Sequence, residues 1–173
     1  MFRQEMNQQS EPRTHSERKS ASCRFVVSVA TCGWAGYSPF APGTVGTLLA
    51  IPIFPALGAL RDLSVATYLL AVALILVGSV WVAGVASEEL GERDSPHIVI
   101  DEVAGYVTAT AFLDFSWLAA ALAFFLFRLF DILKPFPASW FDRYVHGGLG
   151  VVGDDVVAGI FAGVVARIVL GLL

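Results

Sequence analysis

The charges of this 173-residue chain are gathered into a few dense clusters, and the sequence between the clusters is apolar enough to cross a bilayer. The clearest case is Ser64 to Ser87, a run with no charged residue. At 24 residues it would extend roughly 36 Å as a helix, against a hydrocarbon core of about 30 Å. The charges return in HIVIDEVAGY (His97 to Tyr106), in FRLFDILKPFPASWFDR (Phe127 to Arg143) and in the GGLGVVGDDVVAGI run ending at Ile160. A charge held beside lipid-length helices costs several kcal/mol unless it is paired, hydrated or bound to an ion. A chain that keeps so many of them there is expected to use them as a site.

Composition places that site in a membrane protein. Hydrophobic residues make up 56% and charged residues 15% of the chain, with a mean hydropathy of +0.69, whereas soluble domains carry about 25% charged residues. One membrane-embedded domain over residues 25–173 is expected, with 1–24 as a disordered polar tail containing Arg3, Arg13, Arg18 and Lys19. The basic residues are scattered and the net charge is −4, so the clustered Lys/Arg footprint of a nucleic-acid binder is missing. Cys23 and Cys32 form no CxxC pair and have no His partners at metal spacing, which fits either a reducing compartment or two inert packing residues.

Along the chain, Phe25 to Thr31 leads into CGWAGYSPFAPGTVGT, whose Gly and Pro content predicts an ordered loop up to about Thr44. Val45 to Leu60 reads as a helix kinked by Pro52 and Pro55. Ser64 to Ser87 is the strongest span, and the polar loop EELGERDSPH follows it. Val103 to Leu113 is short for a crossing, Ser116 to Leu133 is longer, and a last helix is expected from near Asp155 to the C-terminus. The fold class is therefore all-α, a multi-pass membrane bundle of about four to five helical segments. If the basic N-terminus stays inside, parity returns every charged motif to the cytoplasmic side and leaves only Arg61-Asp62 and Asp114 outside.

The clusters carry hard-ligand and anion-binding chemistry. Asp101 and Glu102 stand at a helix entrance, where one carboxylate would serve as a cap, and Asp154 and Asp155 repeat the doublet. With Asp131 they supply the oxygen ligands that Mg2+ takes alongside water and phosphate. Arg128, Asp131 and Lys134 are spaced by three, so they form either an internal ion-pair ladder or a cationic edge. Pro135 ends that helix at Lys134, and Arg143 and His146 follow in a predicted loop with a Gly-Gly pair. Gly43, Thr44 and Gly46 precede an apolar helix, either as a phosphate nest or as a tight turn. The GK[ST] element of a nucleotide-binding loop is missing there. Residue chemistry alone reaches metal-assisted reaction of a phosphorylated lipid.

SPFAPGTVGTLLAIP, IVIDEVAGY, FRLFDILKPFPASWFDR and HGGLGVVGDDVVAGI resemble, in order and spacing, the signature blocks of bacterial phosphatidylglycerophosphatase A. The resemblance covers about Phe25 to Leu170; His97 stands where the family tends to carry a small Ser. It implies a Mg2+-dependent lipid phosphatase of the bacterial inner membrane, facing the cytoplasm, that converts phosphatidylglycerophosphate to phosphatidylglycerol and inorganic phosphate. On that reading Asp101, Glu102, Asp131, Asp154 and Asp155 are candidate metal ligands and catalytic carboxylates. Lys134, Arg128 and Arg143 would neutralise the phosphate, with Gly43, Thr44 and Gly46 beside it. Two other membrane classes use similar residues. A CDP-alcohol phosphotransferase would need a DxxDGxxAR pattern that does not occur here, and a small transporter would hold its charges near mid-membrane. A soluble helical domain would need Ser64 to Ser87 as ordinary core. Oligomeric state is not legible in the sequence.

Overall fold

The computed structural model of the chain describes residues 15–92 and 95–173, with side chains described from residue 22 onward. Within them the chain is helical, without strands: α1 (His15–Ala30), α2 (Pro42–Ala50), α3 (Ile53–Leu63), α4 (Val65–Leu90), α5 (Ile100–Thr110), α6 (Trp117–Leu133), α7 (Ala138–Tyr144) and α8 (Gly148–Leu172). Three stretches are long and apolar enough to cross a membrane: Pro42–Leu63, Val65–Leu90 and Gly148–Leu172.

Several helix ends differ from the sequence expectation, each for a local reason. α1 begins at His15, inside the stretch expected to be a tail; residues 1–14 lie outside the described residues. Its C-terminal half is held by Val26 and Ala30, which are buried with Val82, Ala83 and Ala86 of α4. The kink expected from two prolines is a break at one of them. Pro52 separates α2 from α3, while Pro55 sits in the first turn of α3, where a missing N–H leaves no bond unmade. The Ser64 side chain accepts a hydrogen bond from the Ala66 N–H and starts α4, and Ser116 does the same for α6 through the Ala119 N–H. α4 runs one turn into the predicted polar loop and ends at Gly91, whose φ of +69° is the left-handed helix terminator. Arg93 and Asp94 of that loop lie outside the described residues.

α5 is the centre of the bundle. It is 11 residues and about 17 Å long, too short to cross a bilayer core alone, and Asp101, Val103, Ala104, Gly105, Tyr106, Val107, Ala109 and Thr110 are all buried in it. Such a helix must be enclosed by its neighbours, and α2, α4, α6 and α8 pack around it. The α5–α8 contact is backbone-close: a Cβ on Gly159 would lie 2.3 Å from the Gly105 carbonyl oxygen, and one on Gly163 would lie 2.8 Å from that of Ala109. Small residues at a helix crossing in lipid permit this approach.

The helix ends sort into two layers. At one end Arg61 pairs with Asp114, the Tyr68 hydroxyl donates to the Ala111 carbonyl, and Arg167 donates to the Phe112 carbonyl. At the other end stand the start of α2, the ends of α1, α4 and α6, and the starts of α5 and α8. Between the layers the outer faces of α4, α6 and α8 expose Leu70, Leu74, Val77, Phe125, Ile132 and Ile168, a surface that suits lipid and not water. Exposed aromatic residues border it at both ends, with Trp34, Phe40, Phe136 and Trp140 on one side and Phe112 and Trp117 on the other, as at membrane interfaces.

Candidate active site

The entry to α5 places the first acidic doublet. The Val99 N–H donates to the Ala30 carbonyl at 2.9 Å, tying the start of α5 to the end of α1. His97 stacks on Tyr37 with ring centroids 4.5 Å apart, and its Nδ1 lies 2.9 Å from the Gly36 carbonyl. This histidine therefore braces the approach to the helix. Asp101 and Glu102 then fall in the first turn, where the Asp101 side chain accepts from the Glu102 N–H at 3.1 Å.

α8 begins at Gly148, not near Asp155 as its sequence suggested. A Cβ at Gly148 would lie 1.9 Å from the Val80 carbonyl oxygen, so the start of α8 rests against the backbone of α4. Asp154 and Asp155 are therefore about two turns into the helix, buried, and neither caps it. A carboxylate oxygen from each of Asp101, Glu102 and Asp155 falls within 4.8 Å of the others. Asp131, from the last turn of α6, reaches hydrogen-bonding contact with Asp155.

Arg128 joins this group from one turn back on α6. Its guanidinium is 2.8 Å from Asp131 and 3.5 Å from Glu102. Four carboxylates and one guanidinium thus gather at the start of α5, with Asp101 and Asp155 buried and Glu102, Asp131 and Arg128 largely so. Burial pushes the Asp101 carboxyl well above the usual range, and the charges of Glu102 and Asp155 push it the same way. Glu102 is also raised by burial, partly offset by its hydrogen bond with Asp101 and by the Arg128 charge. Glu102 Oε2 is buried without a hydrogen-bond partner. An orphaned carboxylate oxygen among other carboxylates is the donor set that a hard divalent cation takes.

The predicted ladder on α6 is only half formed. Arg128 and Asp131 pair, but Lys134 turns away, adopting φ 42° as the left-handed cap of α6. Its ammonium lies 2.7 Å from Asp154 and 2.8 Å from Asp142 and is half-buried, so it is not the open edge that Pro135 suggested. Burial alone would lower the Lys134 pKa, but the hydrogen bonds and charges of Asp142 and Asp154 outweigh it and raise it. Asp142 was not singled out in the sequence. It lies in SWFDR, a segment expected to be loop that folds as α7, and its cue was the acidic residue beside Arg143.

The remaining candidates are less uniformly placed. Gly43 is in the first turn of α2, and a Cβ there would fall 2.0 Å from Glu102 Oε1 and 2.9 Å from Arg128 Nη1, so its missing side chain makes room for both. Gly46 packs on Val99, where a Cβ would come within 2.8 Å of the valine Cβ, and Thr44 is partly exposed between them. Arg143 is exposed in the last turn of α7, outside the ion pairs formed among the described residues. His146 is exposed with its Nδ1 3.0 Å from the Tyr144 carbonyl. Cys32 lies near Glu102, but burial and then the Glu102 charge push its thiol up to about 11, which keeps it protonated and unreactive.

A membrane bundle with a carboxylate cluster at the N-terminus of a buried helix, flanked by Arg128 and Lys134, agrees with the matches to known proteins. The sequence model of phosphatidylglycerophosphatase A matches residues 28–170. The chain belongs to the phosphatidylglycerophosphatase A family. Its relatives include the phosphatidylglycerophosphatase A of Escherichia coli K12, 38% identical over 129 residues, or 74% of this chain and 73% of the relative. That of Haemophilus influenzae is 36% identical over 130 residues, 72% of this chain and 76% of the relative. A provisionally named phosphatidylinositol-3-phosphatase of Bacteroides thetaiotaomicron is 37% identical over 154 residues, 84% of this chain and 95% of the relative. No solved structure matches the chain. All the carboxylates and cations of the site, and Gly43 beside them, lie within the stretch that the phosphatidylglycerophosphatase A model covers.

Proposed function

We propose that this chain hydrolyses the terminal phosphomonoester of phosphatidylglycerophosphate, releasing phosphatidylglycerol and inorganic phosphate in phospholipid synthesis, with Mg2+ held by its carboxylates. The observation that carries the reading is the approach of Asp101, Glu102 and Asp155 within 4.8 Å beside a guanidinium and an ammonium, in a chain of this family. The relatives named phosphatidylglycerophosphatase A supply the substrate.

Asp101, Glu102 and Asp155 would hold the metal, with Asp131 against Asp155 as the next carboxylate; Asp154 is engaged by Lys134. The orphaned Glu102 Oε2 and the all-oxygen donor set fit Mg2+. When bound, the ion would polarise the phosphoryl oxygens and balance the charge of the cluster.

The residues of the chain do the remaining work. Arg128, fixed between Glu102 and Asp131, orients these carboxylates and presents positive charge to the phosphate side. Lys134 and the exposed Arg143 neutralise the incoming phosphate, which matters because phosphoryl transfer depends chiefly on positioning and charge stabilisation. Gly43 keeps backbone and side-chain volume away from Glu102 and Arg128. A carboxylate of the cluster accepts the proton of the attacking water as the new P–O bond forms, and returns it to the glycerol oxygen as the P–O bond to that oxygen breaks. A covalent aspartyl-phosphate is the competing route.

The site faces the cytoplasm of the bacterial inner membrane. In support, Arg24, Arg128, Lys134 and Arg143 belong to the carboxylate end of the bundle, and Arg61 and Arg167 to the other, the asymmetry of the positive-inside rule.

The test is phosphate release from phosphatidylglycerophosphate by purified protein in detergent, with and without Mg2+, beside a folded Asp155→Asn variant. Phosphatidylinositol 3-phosphate serves as the comparison substrate. Metal-dependent release lost in the variant is the expected result. Absence of release from folded wild-type protein refutes the activity, and release by the variant at the wild-type rate refutes the site.

A further inference from the structure

The outer surface of α4 and α8 is not uniformly convex. Between them, closed at the charged end by α7, runs an apolar groove of about 530 Å³, lined among others by Leu76, Val80, Phe141, Val152, Val156 and Ile160. Every lining residue is apolar. The volume is that of a ligand site and larger than the shallow gaps between side chains on a lipid-facing surface.

Its position relative to the charges identifies the occupant. Gly153 forms part of the wall and immediately precedes Asp154; Phe141 forms another part and immediately precedes Asp142. These two aspartates are the partners of Lys134. The groove therefore begins one residue along the chain from each of the two aspartates that hold the ammonium, and continues down α8 to Ile160, roughly 10 Å from Gly153. An apolar channel along α8 that starts beside the partners of a cation proposed to meet phosphate has the layout of a lipid: headgroup at the charged end, hydrocarbon below. Phe141 is seated on Gly153, where a Cβ would come within 2.5 Å of its ring, so α7 ties the groove to the Lys134 partners.

We propose that this groove binds one acyl chain of the phosphorylated lipid substrate, so that chain recognition and headgroup chemistry are coupled through α7 and the second turn of α8. The inference rests on the proposed lipid phosphatase activity and deepens it. A chain seated there lowers the entropy of bringing the headgroup to the carboxylates and gives preference for long-chain lipid over a bare headgroup. The competing occupant is bulk lipid, which would fill any groove on this face without discrimination.

The test uses full-length protein in nanodiscs of phosphatidylcholine and a phosphatidylglycerophosphate carrying a photoreactive diazirine at mid-chain. Labelling of groove residues on α4 and α8 that is suppressed by unlabelled phosphatidylglycerophosphate, but not by added phosphatidylcholine, is the expected result. Val77→Trp and Ile160→Trp place bulk in the groove at exposed positions, where folding tolerates it. Each should raise KM for long-chain substrate about tenfold, equivalent to about 1.4 kcal/mol, with kcat little changed. Labelling that phosphatidylcholine suppresses equally, or tryptophan variants with unchanged KM, overturns the proposal. If wild-type protein releases no phosphate, the activity reading fails, while the competition between labelled and unlabelled lipid still reports on the groove.

Discussion

Replacing Asp101 by Asn should make the metal-free protein more stable and the metal-supplied protein inactive. The substitution keeps shape and retains an oxygen to accept the Glu102 N–H, so what it removes is charge. Two ionised carboxylates at 4.8 Å repel by about 3.5 kcal/mol at an effective dielectric of about 20. Proton uptake already relieves part of this, because burial and the neighbouring charges raise Asp101. A net gain of about 2 kcal/mol is expected, which for a chain of this length raises the melting temperature by about 4–8 °C. Wild-type protein should recover by binding: Mg2+ at a hundred times its Kd stabilises by about 2.7 kcal/mol, and Asp101→Asn should lack most of that response. The assay is thermal unfolding in detergent, in chelator and across a Mg2+ series, with phosphate release measured on the same samples. An Asn variant that melts earlier than wild type in chelator, together with no Mg2+ shift in either protein, would show that the carboxylates brace the fold and do not hold a cation.

Other expectations follow from single contacts. Gly159→Ala should destabilise by about 1–3 kcal/mol, because the added carbon falls 2.3 Å from the Gly105 carbonyl oxygen and α5 and α8 must separate. Gly58→Ala, whose Cβ meets nothing within 4 Å inside α3, should instead stabilise by about 0.5–1 kcal/mol; thermal unfolding of both separates close helix packing from helix propensity. Lys134→Met withdraws a cation from the buried Asp154 and should cost about 3 kcal/mol as well as activity, whereas Asp142→Asn, at the more exposed partner, should cost under about 1 kcal/mol. In chelator, stability should fall as pH rises from about 4. The raised Asp101 carboxyl keeps more of its proton in the fold than in the unfolded chain, whose ordinary value is 3.8; melting from pH 4 to 8 that shows no such slope refutes the raised carboxyl.

The membrane character and helical class were legible because they are one-dimensional properties: an uncharged run of bilayer length such as Ser64 to Ser87 reports on its own neighbours. Which acidic residues meet was partly legible, since the charge clusters recur only where the chain returns to one end of the bundle. The helix start at Gly148 was hidden because the reason for it lies on α4, where the backbone at Val80 leaves no room for a side chain. That shift changes chemistry: it moves Asp155 from a capping position exposed to water to about two turns into a helix, inside the bundle and within reach of Asp101. Asp142 escaped notice for a related reason, since its partner Lys134 leaves the α6 ladder only after the left-handed cap turns it towards α7 and α8.

The short central helix explains why these particular residues had to be brought together by tertiary contact. The 11-residue helix is enclosed by its neighbours with Asp101 buried and Glu102 largely so in its first turn, and the glycine-lined contact with α8 brings Asp155 beside them. About 18 Å of α8 then separates Asp155 from Arg167 in the opposite charged layer, well short of a hydrocarbon core of about 30 Å. Asp155 consequently sits about two turns inside the start of α8, on the same stretch of helix whose Val152, Gly153 and Val156 line the apolar groove. A cluster so placed inside the bundle is consistent with the membrane-resident substrate proposed above.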